Sequence, residues 1–234
     1  MSTAAGGARR PFVLVTGAFG SQDGPVGDRE TWVSTTHDWA ASVDVAHLAD
    51  ARERAADLAP GGVLHLVLEV LAYASEEATE RGGGRCRVTF RSDGSVSVAD
   101  DGRGTDTRLD ERGRPVRKPV MSTRDLRVFD AVDGPVLPDG HPRRGVSVVS
   151  ALSDWLVHRN RRSHGSWEQR YERGVPVTDL VPVEPDGTTG TTVTFLPGPL
   201  VQPSPGDLTP DVIASLRDWP DLTVEVVDER PVAP

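Results

Sequence analysis

Residues 63 to 80 read VLHLVLEVLAYASEEATE and lie between Pro60-Gly61-Gly62 and Gly82-Gly83-Gly84. Breakers at both ends and apolar residues three and four apart define one long amphipathic helix. Leu64, Val67, Leu68 and Leu71 form its core-facing stripe, and the fold has to bury that stripe against another layer. His65, Glu69, Tyr73 and Glu76 fall on a second stripe. Glu69 has no Lys or Arg neighbour in this run, and a carboxylate half-sunk beside a core is costly unless its charge is paired or used. Access to water at the edge of an ordinary helix, a raised pKa, a hydrogen bond from His65 or a catalytic role would each resolve that cost.

The 234 residues suit one large domain or a domain with an appendage. With 24 Gly and 19 Pro, much of the chain has to be irregular connection. A formal charge of -9 argues against direct DNA binding, although Arg159, Arg161 and Arg162 form a local basic patch. The single cysteine, Cys86, excludes an internal disulfide and reads as a small buried strand residue; no CxxC or close His pair suggests a metal site. No apolar stretch is long enough to span a membrane, and the N-terminal apolar segment is too short for a secretory signal, so the composition points to the cytoplasm.

Residues 1 to 41 are poorly patterned, with one strand-like run at Phe12 to Thr16. Its continuation VTGAFG fails as a dinucleotide site, because the third glycine is out of register and Gly24, Pro25 and Gly27 would break the required helix. From Asp44, a capping residue, a helix is predicted through His47, Leu48, Ala51, Ala55 and Leu58 to Pro60. After the Glu69 helix, RCRVTFR and SVSVA alternate about Ser92-Asp93-Gly94, a hairpin signature. Prolines limit residues 100 to 141 to a short helical piece near Met121 to Val128. GVSVVSALSDWL reads as a helix, WLVHRNRR and SWEQRYERG as strands about Ser163-His164-Gly165, TTVTFLP as a strand, TPDVIASLRDWP as a short helix and LTVEVV as a last strand. The sum is α+β, a two-layer sandwich with helices on one face of a mostly antiparallel mixed sheet.

The strand after the hairpin delivers Asp100 and Asp101 into Gly102-Arg103-Gly104. Glycines let the backbone approach a ligand closely, and an acid at a strand end can accept a hydrogen bond from an exocyclic amine. Taken together and in order, HLVLEV, ASEEA, DDGRG, GVSVVSALSDWL, YERGVPVTDL, GTTVTF and LTVEVVDER resemble the N-terminal ATPase domain of the gyrase B and topoisomerase IV B proteins, members of the GHKL (Bergerat-fold) superfamily. The resemblance covers about residues 42 to 230. A divergent segment, 1-41, would precede that domain and a tail, 231-234, would follow it.

The resemblance implies ATP as ligand, with Mg²⁺ as cofactor, and assigns roles residue by residue. Glu69 matches the general base that activates water, and His65 the histidine that orients it. Asp100 matches the acceptor of the adenine amino group, with Thr191 beside it. Gly102, Arg103 and Gly104 match the wall of the base pocket; Gly145 and Val146 match the helix start that holds phosphate; Arg162 matches an arginine at the pocket mouth. Tyr73 stands where the family has the Asn that ligates Mg²⁺, and a phenol is a poor ligand for that hard cation. Pro142 and Arg143 replace lid positions that would offer amides to phosphate, Thr105-Asp106 replaces Ile-Pro, and Arg143 and Arg144 are new charges on that side. If Tyr73 swung away, Asp101 or Glu76 could supply the metal.

Besides a scaffold with no ligand, two readings follow. One is an ATP-binding, gyrase-B-like domain with weak hydrolysis, lacking the transducer and cleavage modules and so unable to change DNA topology alone, which works with a topoisomerase subunit or another protein. The other is a non-catalytic pseudo-ATPase module that binds a nucleotide, an inhibitor or a protein partner. Residues 1 to 41 show no match to the arm that relatives exchange across their dimer, which argues against homodimerisation.

Overall fold

A computed structural model describes residues 43–105, 108–109, 111, 115–116, 119–131, 133–163, 165–201 and 219–231. The run Phe12 to Thr16, the segment TPDVIASLRDWP up to residue 218, Asp106 and His164 lie outside the described residues.

Helices α1 (Val45–Glu53) and α2 (Ala55–Leu58) replace the single helix expected over this stretch. Asp44 caps the first as its sequence predicts, its Oδ1 accepting from the His47 amide at 2.9 Å. Arg54, at φ -104 and ψ 26, then separates the two. Helix α3 (Gly62–Arg81) ends at Gly82, whose φ of 73 lets its amide turn back to the Ala78 and Thr79 carbonyls. Val67, Leu68 and Leu71 are buried as the stripe requires, and so are Leu66 and Val70, because α3 is covered on more than one side. Each fully buried leucine contributes roughly 1.5–3 kcal/mol.

The hairpin forms as expected from β1 (Gly84–Phe90) and β2 (Val96–Asp100). Cys86, Val88 and Phe90 alternate inward on β1, and Cys86 is buried and free. A small ladder of β3 (Arg108–Leu109) and β4 (Pro115–Val116) lies apart from the main sheet. Residues 121–128 form turns instead of the expected short helix. The Pro119 carbonyl takes both the Ser122 and Thr123 amides at 3.0 Å, and the Asp125 carboxylate takes the Arg127 amide at 3.0 Å. Such local bonds compete directly with the helical ladder.

Helix α4 (Val146–Leu152) is shorter than GVSVVSALSDWL suggested, because Ser153 already opens β5 (Ser153–Arg162). The Ser153 hydroxyl bonds back to the Val149 carbonyl at 2.7 Å while its backbone extends to pair with Pro197. The remaining strands are β6 (Gly165–Glu172), β7 (Val175–Pro176), β8 (Val181–Pro182), β9 (Gly190–Pro197) and β10 (Leu222–Asp228). The sheet runs β10-β1-β2-β9-β5-β6-β7, with β8 also on β6; among the described strands only the β1–β10 pair is parallel. Helix α3 packs on β1, β2 and β10, and α4 packs on β5 and β6 with α1 beside it, giving the expected α+β two-layer arrangement. The helix layer and residues of β2, β5 and β9 line the cavity described next.

Candidate nucleotide site

Between α3 and the sheet lies an open cavity of about 270 Å³. Its apolar walls are Val70, Ala74, Val98, Val120, Met121, Val146 and Val193. Asp100, at the end of β2, is its main polar anchor. Its Oδ1 accepts the Gly102 amide at 2.8 Å and the Thr191 amide at 3.1 Å. No hydrogen bond to the second oxygen, Oδ2, forms among the described residues. Burial raises the Asp100 pKa against these two amide bonds, and Glu77 and Asp101 add to the rise. The site therefore holds a pre-oriented acceptor beside an apolar slot.

Arg103 stands outside the lining and braces it. Its Nε and Nη2 each reach Glu77 at 2.8 Å, and Nη2 also reaches Glu80 at 2.6 Å. Gly104, at φ +80, leaves no room for a side chain: a Cβ would lie 2.5 Å from the Arg161 carbonyl and 2.7 Å from Asn160 Oδ1. Asn160 clamps the next residue, accepting the Thr105 amide at 2.7 Å and donating to its carbonyl at 2.9 Å. Arg162 donates to the Gly104 carbonyl at 3.3 Å and so holds the wall from behind. Thr191 and Val146 line the cavity; Gly102 and Gly145 support it without lining it.

The opposite end is built from the second stripe of α3. Glu69 is fully buried, not half-sunk, and does not line the cavity. Its two oxygens take the Arg144 amide and, at 2.8 Å, the Gly145 amide. Gly145 reaches this contact at φ +100, a backbone state that disfavours any side chain. His65 approaches Glu69 with Nε2 at 3.5 Å, a charge contact too long for a good hydrogen bond, and pairs through Nδ1 with Asp139 at 2.7 Å. Burial opposes protonation of His65, but the Asp139 hydrogen bond and the Glu69 charge outweigh it and raise the pKa to about 9. His65 thus stands between the Glu69 and Asp139 carboxyl groups.

Tyr73 lines the cavity, and its phenol donates to Asp125 at 2.8 Å. Asp125 is fully buried; burial would raise its pKa, yet the bonds from Arg127 and Tyr73 hold it down at about 2. Arg127 joins Asp125 at 2.8 Å to Glu76 at 3.3 Å, and Arg143 reaches Glu76 at 2.5 Å while its guanidinium lies over the Tyr73 ring, 4.4 Å from the centroid. Glu76 is thereby engaged. Asp101 is engaged as well, its Oδ1 accepting the Arg85 amide at 2.9 Å. The two acids that could have replaced a lost metal ligand serve other partners, and no group of three His, Cys, Asp or Glu suited to a metal occurs among the described residues. These residues do not fit a Mg²⁺ ion.

Asp139, Asp125 and Asn160 gave no sequence signal as site residues. His158 was missed too: it lines the cavity, its Nε2 finds no partner among the described residues, and burial lowers its pKa to about 4, keeping it neutral. Its place in the alternation of β5, on the same face as Leu156 and Asn160, is the one cue that could have found it.

A helix layer on a mixed sheet, with an acid–glycine turn facing a long helix across a cavity, defines the class: the Bergerat, or GHKL, fold. No family model matches the chain. It is 40% identical over 179 residues to the DNA gyrase B protein of Thermotoga maritima, covering 71% of this chain and 27% of that protein. It is 37% identical over 139 residues to the DNA topoisomerase 4 B protein of Streptococcus pneumoniae, covering 58% and 22%. With the DNA gyrase B protein of Micrococcus luteus the identity is 34% over 201 residues, covering 83% and 28%. The chain belongs to the gyrase B and topoisomerase IV B family and spans about a quarter of the length of these relatives.

Proposed function

We propose that this chain is an adenine-recognising module of the gyrase-B type, in which the residues around Asp100 bind the base and hydrolysis is weak or absent. The observation that carries the reading is Asp100: buried, oriented by two amides and left with one oxygen for a ligand in an apolar cavity. Thr191, Gly102, Arg103, Gly104 and Arg162 shape that half, and Gly145 and Val146 border the other. Low turnover is supported by the state of Glu69, which is fully buried, does not line the cavity and holds a backbone amide on each oxygen. It is supported further by Tyr73 and Glu76, which offer nothing to Mg²⁺. Within the cytoplasm, the natural setting of such a module is beside a topoisomerase subunit or another protein partner.

Thermal unfolding with adenine-containing ligands tests the reading. Ligand at about a hundred times Kd adds roughly 2.7 kcal/mol to stability, and phosphate release from ATP is expected to stay at background. Absence of any shift with adenine, adenosine, ADP or ATP would sink it.

A further inference from the structure

The adenine half of the cavity is open, while the half that would take a phosphate chain is occupied by the protein's own charges. Resting on the adenine reading above, we propose that the physiological ligand is unphosphorylated: an adenine-type amino-heterocycle or its nucleoside, bound without a divalent cation and gaining no affinity from added phosphates.

Three observations carry this. The first is charge. Four carboxylates, Glu76, Glu77, Glu80 and Asp100, line the cavity against one guanidinium, Arg127. The flanking arginines are committed, Arg103 to Glu77 and Glu80, Arg127 to Asp125 and Glu76, and Arg143 to Glu76. Each of these guanidiniums is already paired with a carboxylate of the protein, so none of the three is left over to attract a polyphosphate.

The second is the fate of the amides. Those of Arg144 and Gly145, ahead of α4, point at Glu69, and the Val146 amide points at the Tyr73 hydroxyl, 3.4 Å away. A phosphate could take the Arg144 and Gly145 amides only by displacing the fully buried Glu69 carboxyl group from both. A buried acid that loses its hydrogen bonds in this way is strongly destabilised.

The third is the absence of a route to metal compensation. In this part of the cavity the carboxylates that a cation would need hold guanidinium or hydroxyl groups instead: Glu76 holds Arg143 and Arg127, and Asp125 holds Arg127 and Tyr73. Two arginine side chains have taken over the positive charge that a metal would bring, and they spend it internally.

Titration calorimetry of the full chain with adenosine and ATP, each in excess Mg²⁺ and in EDTA, decides the matter. Adenosine is expected to bind at least as tightly as ATP, with less than a twofold change on adding Mg²⁺, and Asp100→Asn is expected to weaken adenosine at least tenfold. ATP with Mg²⁺ binding tenfold or more tightly than adenosine would overturn the proposal while leaving the adenine reading intact. Adenosine binding unaffected by Asp100→Asn would place the ligand elsewhere and overturn both, as would no binding of either compound.

Discussion

His65 is the residue whose ionisation links the site to stability. Its folded pKa of about 9 lies above the ordinary value of 6.5, so folding takes up a proton between those limits. Its contribution is therefore fully present below about pH 6.5 and is lost as pH rises through 9. From about 1.36 kcal/mol per pKa unit, the loss is on the order of 3 kcal/mol. His158 acts in the opposite sense: its pKa is depressed to about 4, so its contribution is present above 6.5 and fades as pH falls towards 4. Melting curves from pH 6 to pH 9.5 are expected to show a fall for the wild type that Asp139→Asn largely removes, because the neutral amide no longer holds the imidazolium. Parallel pH profiles for the two proteins would show that the Asp139 pair does not set the His65 pKa.

At the scale of elements, the unit that distinguishes this chain is the packing of α3 against the turns at 125–127 and 143–145. Glu76 and Arg143 tie these together, one half-exposed and the other buried. Water can still reach Glu76 when Arg143 is removed, so the pair is worth less than a fully buried one, yet its short bidentate contact exceeds an ordinary surface pair. A double-mutant cycle of Glu76→Ala and Arg143→Ala is expected to give a coupling of about 1 kcal/mol in urea denaturation, with Arg143→Ala the costlier single change because it also uncovers the Tyr73 ring. Strictly additive single effects would mean that the ion pair is incidental. The elements themselves were largely legible in sequence. The alternation of β1 and β2, the glycine stop of α3 and the Asp44 cap are local signals, and each appears where its spacing put it. Helix ends were less so: Ser153 and Asp125 switch the backbone by side-chain bonds that compete with helical ones. The Asp100 turn was visible because its acid and glycines are adjacent. Asp139 was not, because the contact that gives it meaning joins residues 74 apart. Tyr73 was visible as a departure from its relatives, but what it does instead depends on Asp125, a contact across 52 residues.

For the molecule as a whole, the first hairpin strand and the last described strand form the one parallel pair among the described strands of the sheet, in register from Gly84 with Leu222 to Phe90 with Asp228. Strand β10 thus covers an edge of β1, and Leu222 and Val224 join the core that α3 covers. The described elements run from α1 to β10, within residues 42 to 230. We predict that a fragment with these limits unfolds in one cooperative transition within about 3 °C of the full chain; a difference of that size corresponds to roughly 1 kcal/mol for a domain of this length. Ending the fragment at residue 201 removes β10, bares the edge of β1 and opens the core beneath α3, and this shorter chain is expected to aggregate or lose its cooperative transition. Circular dichroism melts of the two fragments check both expectations. A well-folded 42–201 fragment would show that β10 is an accessory strand, whereas a 42–230 fragment that fails to fold would place part of the stabilising structure in residues 1 to 41.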